Sequence, residues 1–301
     1  MRFQRVFASG LVLISTLGFG QRDHQLPSPR PTRNEAHLVR WEPDRLVNSS
    51  PCLFRVQPSV PLKSLTGTWM GHEVFFDFDS ARRTWFGLAG VSIETEPGSY
   101  PLVLEGVTHK GSRTTIRHTV RVVRTKYPTI ALRVSEEFTA PDSQTLARVE
   151  QEQELKTKVF SVLSPEREWS GRFTVPISSS VSGAFGTRRK FNGLIESVHY
   201  GLDYRAQPGT PVSAANRGTV LLARDLFFEG NCVVLDHGQG LLTLYMHLSE
   251  IKVHEGDKVA RGQEIGLSGA TGLATGPHLH MAVRWQGVYV NPAVMLKLNM
   301  P

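Results

Sequence analysis

The sequence predicts a mainly β protein of two domains joined by a helical connector. Its 301 residues are about twice the length of a typical domain. Short runs of β-branched and aromatic residues, punctuated by Gly and Pro, recur in both halves, as half-buried strands require. Only one long stretch breaks that pattern. Residues 144–163 lack Gly and Pro and carry Leu146, Val149, Leu155, Val159, Phe160 and Leu163 at roughly helical spacing.

Residues 1–20 read as an export signal. Arg2 and Arg5 precede an apolar run that closes on Gly18-Phe19-Gly20, the small-x-small form of a cleavage site. The run is interrupted by Ser9, Gly10, Ser15 and Thr16 and is shorter than the roughly 20 residues of a spanning helix, so no transmembrane segment is expected in the mature chain. Residues 21–46, polar with four prolines, read as a flexible leader. In residues 47–135, strand-like runs at 74–78, 100–104, 114–123 and 130–134 alternate with turns such as Glu96-Pro97-Gly98, which suggests an antiparallel sandwich of immunoglobulin-like size. Residues 136–172 form the connector, entered through Pro141-Asp142-Ser143, residues suited to a helix start. Its charged middle, 150–158, reads as a solvated face. Residues 173–301 return to strands and turns.

Composition narrows the function. With 40% apolar and 20% charged residues the chain is neither disordered nor low-complexity. The net charge of +7 favours polyanionic surroundings, but charges of both signs are interspersed and no basic block tracks phosphates, so nucleic acid is not expected as a partner. Cys52 and Cys232 lie in different domains, which is not a disulfide framework and predicts two separate thiols. Gly266-Leu267-Ser268-Gly269-Ala270 lacks the closing glycine of a nucleophile elbow. The glycine-rich run 266–276 lacks the Lys-Ser/Thr of a P-loop, and His72-Glu73 and His254-Glu255 lack the second histidine of a zincin.

Chemistry concentrates between residues 199 and 280, which hold six of the eleven histidines. Alternate residues of a strand share a face. His278 and His280 therefore stand on one side of their segment, with Leu279, Met281 and Val283 on the other. In His199-Tyr200-Gly201-Leu202-Asp203 the histidine and the carboxylate share a face with a glycine between them, which leaves room for an ion. The same alternation places Tyr245 with His247, opposite Leu244, Met246 and Leu248. Two imidazoles and one carboxylate are the ligand set of a hydrolytic zinc site, and spare histidines remain for proton transfer.

These motifs are recognisable together. Residues 173–297 resemble the lysostaphin/LytM-type zinc endopeptidases of bacterial cell-wall peptidoglycan. The resemblance lies in Phe185-Gly186-Thr187-Arg188-Arg189, in the H-x-G-x-D of His199 and Asp203, and in Tyr245-Met246-His247-Leu248-Ser249. It continues in Gly256-Asp257-Lys258-Val259 with Gly262-Gln263-Glu264, and in the H-L-H that ends at His280. It implies an antiparallel β-sheet peptidase domain over 173–301 that binds Zn²⁺ through His199, Asp203 and His280, with His247 and His278 as the catalytic pair.

By the same resemblance the substrates are peptidoglycan stem and cross-link peptides, met in the periplasm or outside the cell. A D-alanyl-diaminopimelate cross-link is expected over a glycine bridge. Arg188 and Arg189 would grip substrate carboxylates or form a structural ion pair. Tyr245 would line the pocket or anchor its own strand, and His237 and His254 are expected to be structural. The competing reading is a catalytically idle relative that binds peptidoglycan and activates another wall hydrolase. Relatives of that kind lose metal ligands, whereas all five key residues stand here.

Overall fold

The computed structural model describes residues 38–193 and 195–301. The signal expected over 1–20 and most of the expected leader lie outside the described residues. The first domain comprises β1 (Leu38–Glu42), β2 (Leu46–Val47), β3 (Pro51–Gln57), β4 (Leu62–Trp69), β5 (His72–Phe75), β6 (Asp77–Asp79), β7 (Thr84–Gly90), β8 (Gly98–Thr108) and β9 (Arg113–Val123). Strand structure thus starts at Leu38, inside the expected leader, because β1 pairs along its whole length with β3 and buries Val39.

Two sheets face one another, β1-β3-β7-β6 and β2-β9-β8-β4-β5. Period-two burial makes them a sandwich. In β9, Ile116, Val120 and Val122 are buried while Arg117 and Arg121 are exposed, so one face meets the core and the other meets water. Phe54 of β3 and Trp69 of β4 join the two sheets edge to face at 5.3 Å, a favoured aromatic geometry.

The strand expected near 130–134 within the sandwich, β10 (Thr129–Leu132), joins neither sandwich sheet because it pairs with a strand of the second domain; after it the connector holds α1 (Glu136–Thr139) and α2 (Ser143–Phe160). Asp142 caps α2 by accepting a hydrogen bond from the Thr145 backbone N–H at 2.7 Å, which satisfies one of the first-turn donors. The charged middle of α2 is not simply solvated. Glu152 is buried and accepts from Arg148 and from the Phe227 backbone N–H, and Lys156 pairs with Glu229 at 2.7 Å. Leu155, Val159 and Phe160 pack against a cluster that includes Leu222, Leu244 and Ala282.

The second domain contains β11 (Val181–Gly183), β12 (Arg188–Phe191), β13 (Ile195–Val198), β14 (Gly201–Arg205), β15 (Pro211–Ser213), β16 (Gly218–Leu226), β17 (Gly230–Asp236) and β18 (Leu241–Ile251). After these come β19 (Lys258–Val259), β20 (Glu264–Ser268), β21 (His278–Trp285), β22 (Val288–Val290) and α3 (Pro292–Met295). The main sheet runs β11-β14-β21-β18-β17-β16-β19, and its central pairs are antiparallel. Strand β12 stands outside that sheet and pairs in parallel with β10 and antiparallel with β13, a small separate sheet that brings β10 to the second domain.

The main sheet has two apolar faces. Leu279, Met281, Val283 and Trp285 of β21 join the large core shared with the sandwich, whereas Ala282 lies on the side that meets α2. The domains interlock where the Gln286 amide donates to Glu73 O at 2.7 Å. His72 also sits 5.1 Å from the Trp285 ring. Cys52 and Cys232 are free and buried, and burial raises both thiol pKa values, which keeps them protonated and unreactive.

Candidate active site

Neighbouring strands β14 and β21 place Asp203 opposite His280, and β18 brings Met246 opposite His280 from the other side. His199 enters from the turn just before β14. The result is a triangle of donor atoms: His199 Nε2 lies 2.9 Å from Asp203 Oδ1 and 2.9 Å from His280 Nδ1, and the last two are 2.8 Å apart. All three residues are buried.

Glycines make the convergence possible. A Cβ on Gly201 would meet His280 Nε2 and lie 2.5 Å from Met281 O, and one on Gly183 would meet the Asp203 carboxylate. The sequence reading takes Gly201 as room for an ion; the space it leaves belongs instead to the His280 ring.

Backbone carbonyls fix the ring tautomers. His199 Nδ1 lies 2.8 Å from Ala184 O, and since a carbonyl only accepts, Nδ1 carries the proton and Nε2 of the neutral ring presents a lone pair. That lone pair faces a carboxylate oxygen. Two acceptors at hydrogen-bond distance need a cation or a proton between them, so the donor set fits a divalent metal. Burial by itself would raise the Asp203 pKa, but the adjoining His199 and His280 rings outweigh it and the group is held low, as a carboxylate. Its second oxygen, Oδ2, accepts from Arg189 at 2.5 Å. His280 is pressed down to about 4, chiefly by burial.

His247 and His278 stand beside the triangle, with ring centroids 4.7 Å apart. His278 Nε2 is 3.7 Å from Asp203 Oδ1. Each ring donates Nδ1–H to a carbonyl, His247 to Thr271 O at 2.8 Å and His278 to Gly276 O at 2.7 Å, so each Nε2 is left for chemistry. Burial, reinforced by His280 and His278, lowers His247 to about 3; it is a neutral base near pH 7.

One local expectation fails. Alternation pairs Tyr245 with His247, yet Tyr245 is in the core, accepting from the Ala215 backbone N–H at 2.8 Å, while His247 lines the cleft beside Met246. The cause is a backbone turn: His247 has φ of +62°, and the β18 ladder to β20 slips between Leu248 and Glu250. A bulge of this kind re-aims a side chain that regular pleating would bury elsewhere. Tyr245 therefore anchors its strand.

The five histidine and aspartate side chains open on one cleft of about 570 Å³. Its walls include Ile130 and Leu132 of β10, Lys156 and Phe160 of α2, and Arg284 and Tyr289. Of the two arginines singled out in the sequence, Arg189 forms the ion pair with Asp203 and Arg188 is exposed. His237 is in the core and His254 is exposed. The sequence reading did not reach the carbonyls of Ala184, Thr271 and Gly276, because a backbone oxygen has no residue type to notice. The roles of Lys156 and Arg284 in the cleft were equally out of reach, since no motif marks them.

Comparison with known proteins places this geometry. Residues 197–292 match peptidase family M23, and the chain thus carries an M23 peptidase domain of mainly β architecture. Over 132 residues it is 42% identical to the peptidoglycan DD-endopeptidase ShyA of Vibrio cholerae, across 43% of this chain and 30% of that protein. Over 116 residues it is 40% identical to the DD-carboxypeptidase/endopeptidase Mpg of Neisseria meningitidis, across 38% of this chain and 27% of that one. The chain spans less than a third of the length of these curated relatives. A crystal structure of a candidate peptidase M23 from Pseudomonas aeruginosa superposes with a TM-score of 0.64 at 28% identity, covering 84% of this chain and 95% of that one. That coverage exceeds the peptidase domain, so the likeness takes in the sandwich as well.

Proposed function

We propose that this chain is an exported, zinc-dependent endopeptidase that hydrolyses peptide cross-links of bacterial peptidoglycan, in the periplasm or outside the cell. The observation that carries the reading is the meeting of His199, Asp203 and His280 donor atoms within 2.9 Å, with the free Nε2 atoms of His247 and His278 on the same cleft. The relatives named for peptidoglycan endopeptidase activity support the substrate class.

In this reading His199 Nε2, Asp203 Oδ1 and His280 Nδ1 hold the zinc. Zinc, when bound, supplies Lewis-acid activation of water and of the scissile carbonyl. The remaining work falls to the protein. His247 and His278 accept and return a proton at Nε2 and donate to the oxyanion as it forms, their tautomers held by Thr271 O and Gly276 O. The cleft between β10, α2 and β21 orients the peptide and excludes bulk water. The cross-link favoured is D-alanyl-diaminopimelate.

The decisive experiment is digestion of purified peptidoglycan and of defined cross-linked muropeptides by the zinc-loaded protein, followed by mass spectrometry. Release of products cleaved at one peptide bond is expected. Stoichiometric zinc with no bond cut would replace this reading with that of a binding protein that activates another hydrolase.

A further inference from the structure

The cleft holds polar atoms that the proposed chemistry does not use. Among the described residues, the buried side-chain atoms that lack a hydrogen-bond partner belong to Arg167, Trp169, Arg189, Glu229 and Arg284, and the last three line the cleft. Arg284 differs from the others in leaving two donors, Nε and Nη1, unspent. Arg189 is already paired with Asp203 and Glu229 with Lys156. An unmet buried donor is costly, and more so when charged, so an unpaired guanidinium in a cleft calls for an explanation.

Position supplies one. Arg284 lies on β21 four residues beyond His280, with Ala282 between them, on the same face of the strand. At about 3.3 Å per residue this is roughly 13 Å from the metal triangle, the reach of a few residues of extended peptide. The guanidinium carbon is 4.4 Å from the Phe160 ring centroid and 5.4 Å from that of Tyr289. Two aromatic rings thus flank the guanidinium and hold it in place. The side chain as a whole is only half-buried, which leaves it open to the cleft. Burial lowers its pKa, and among the described residues no carboxylate forms an ion pair with it, whereas Arg189 and Lys156 in the same cleft each have one.

A planar, pre-held fork of donors without an internal acid matches a carboxylate. We propose that Arg284 forms a carboxylate-binding subsite of the cleft, which selects peptides bearing a free carboxylate a few residues from the scissile bond. The inference rests on the peptidase reading and names a feature of its substrate. That carboxylate belongs either to an acidic side chain or to a chain terminus.

The test uses the full, zinc-loaded protein and cross-linked peptides identical except for their carboxylates: both free, side-chain acid amidated, terminus amidated, or both amidated. The wild type should prefer an acid-bearing peptide over the fully amidated one by at least about tenfold in kcat/KM, and the arm that loses this preference identifies the source. Arg284→Gln should lose the preference, its kcat/KM ratio between acid-bearing and fully amidated peptides falling to about one, and Arg284→Lys should restore part of it. Equal losses on all four peptides, or none, would overturn the subsite. Should Arg284→Gln fail to fold, as judged by circular dichroism and zinc content, the wild-type preference alone decides. If the wild type cuts no peptide, the peptidase reading fails, and fluorescence anisotropy of the same labelled peptides still tests the subsite: tighter binding of the acids supports it and equal binding refutes it.

Discussion

Arg189 donates to Oδ2 of Asp203 at 2.5 Å while Oδ1 of the same carboxylate faces His199 and His280. The arginine thus fixes the plane of the acid and leaves one oxygen for the metal. Because partners of this kind typically alter metal affinity 10- to 100-fold, Arg189→Gln should weaken zinc binding by roughly that factor in a chelator-competition titration. Excess zinc should restore hydrolysis. Unchanged zinc affinity would show that the ion pair does not orient the ligand.

His278 stands 3.7 Å from Asp203 Oδ1 but outside the triangle of donor atoms. His278→Ala should abolish hydrolysis and keep near-stoichiometric zinc by elemental analysis, whereas Asp203→Ala should lose both. Equal zinc loss in the two variants would mean that the roles are misassigned.

Gly201→Ala should disrupt the site through sterics alone. The added methyl meets the His280 ring and Met281 O, and overpacking of this kind costs about 1–3 kcal/mol. Chemical denaturation should show that loss together with weakened zinc binding; a variant as stable and as metal-avid as wild type would contradict the geometry.

Beneath the site runs a buried chain of hydrogen bonds. His237 Nδ1 donates to Arg217 O at 2.7 Å, His237 Nε2 is 2.7 Å from Thr243 Oγ1, and Thr243 Oγ1 is 3.1 Å from the Tyr245 hydroxyl. Tyr245→Phe removes the acceptor of the Ala215 N–H and should cost about 1–2 kcal/mol of stability with kcat nearly unchanged. A large fall in kcat without loss of stability would return Tyr245 to the active site.

Burial presses His237 down to about 4, against roughly 6.5 in the unfolded chain. The unfolded state therefore binds the extra proton first, and this group lowers stability as pH falls from about 6.5 toward 4, with no effect above that window. Between pH 7.5 and pH 5 the difference amounts to about 2 kcal/mol. Urea denaturation of wild type and His237→Gln at the two pH values should show a smaller acid loss in the variant; equal losses would mean that His237 is protonated in the folded protein.

Much of this was legible in the chain. Period-two alternation around His278 and His280 reveals which side of β21 is core and which is cleft, because pleating is local and needs no partner strand. The helix at 144–163 shows itself by the absence of Gly and Pro, and α2 fills nearly that span. The histidine and aspartate spacings suffice for the resemblance that leads to a peptidase, and the family match falls on the same residues.

Tertiary structure decided the rest. His247 reaches the cleft only through a positive φ, imposed by the pairing of β18 with other strands and invisible to a rule that assumes regular pleats. The Arg189 pair with Asp203 and the covering of Arg284 by Phe160 link residues 14 and 124 positions apart. Sequence fixes which groups are present and how near neighbours alternate. Which of them meet across the fold, and which buried charge is left without a partner, depends on the packing of distant strands, where burial raises the cost of every unmatched atom.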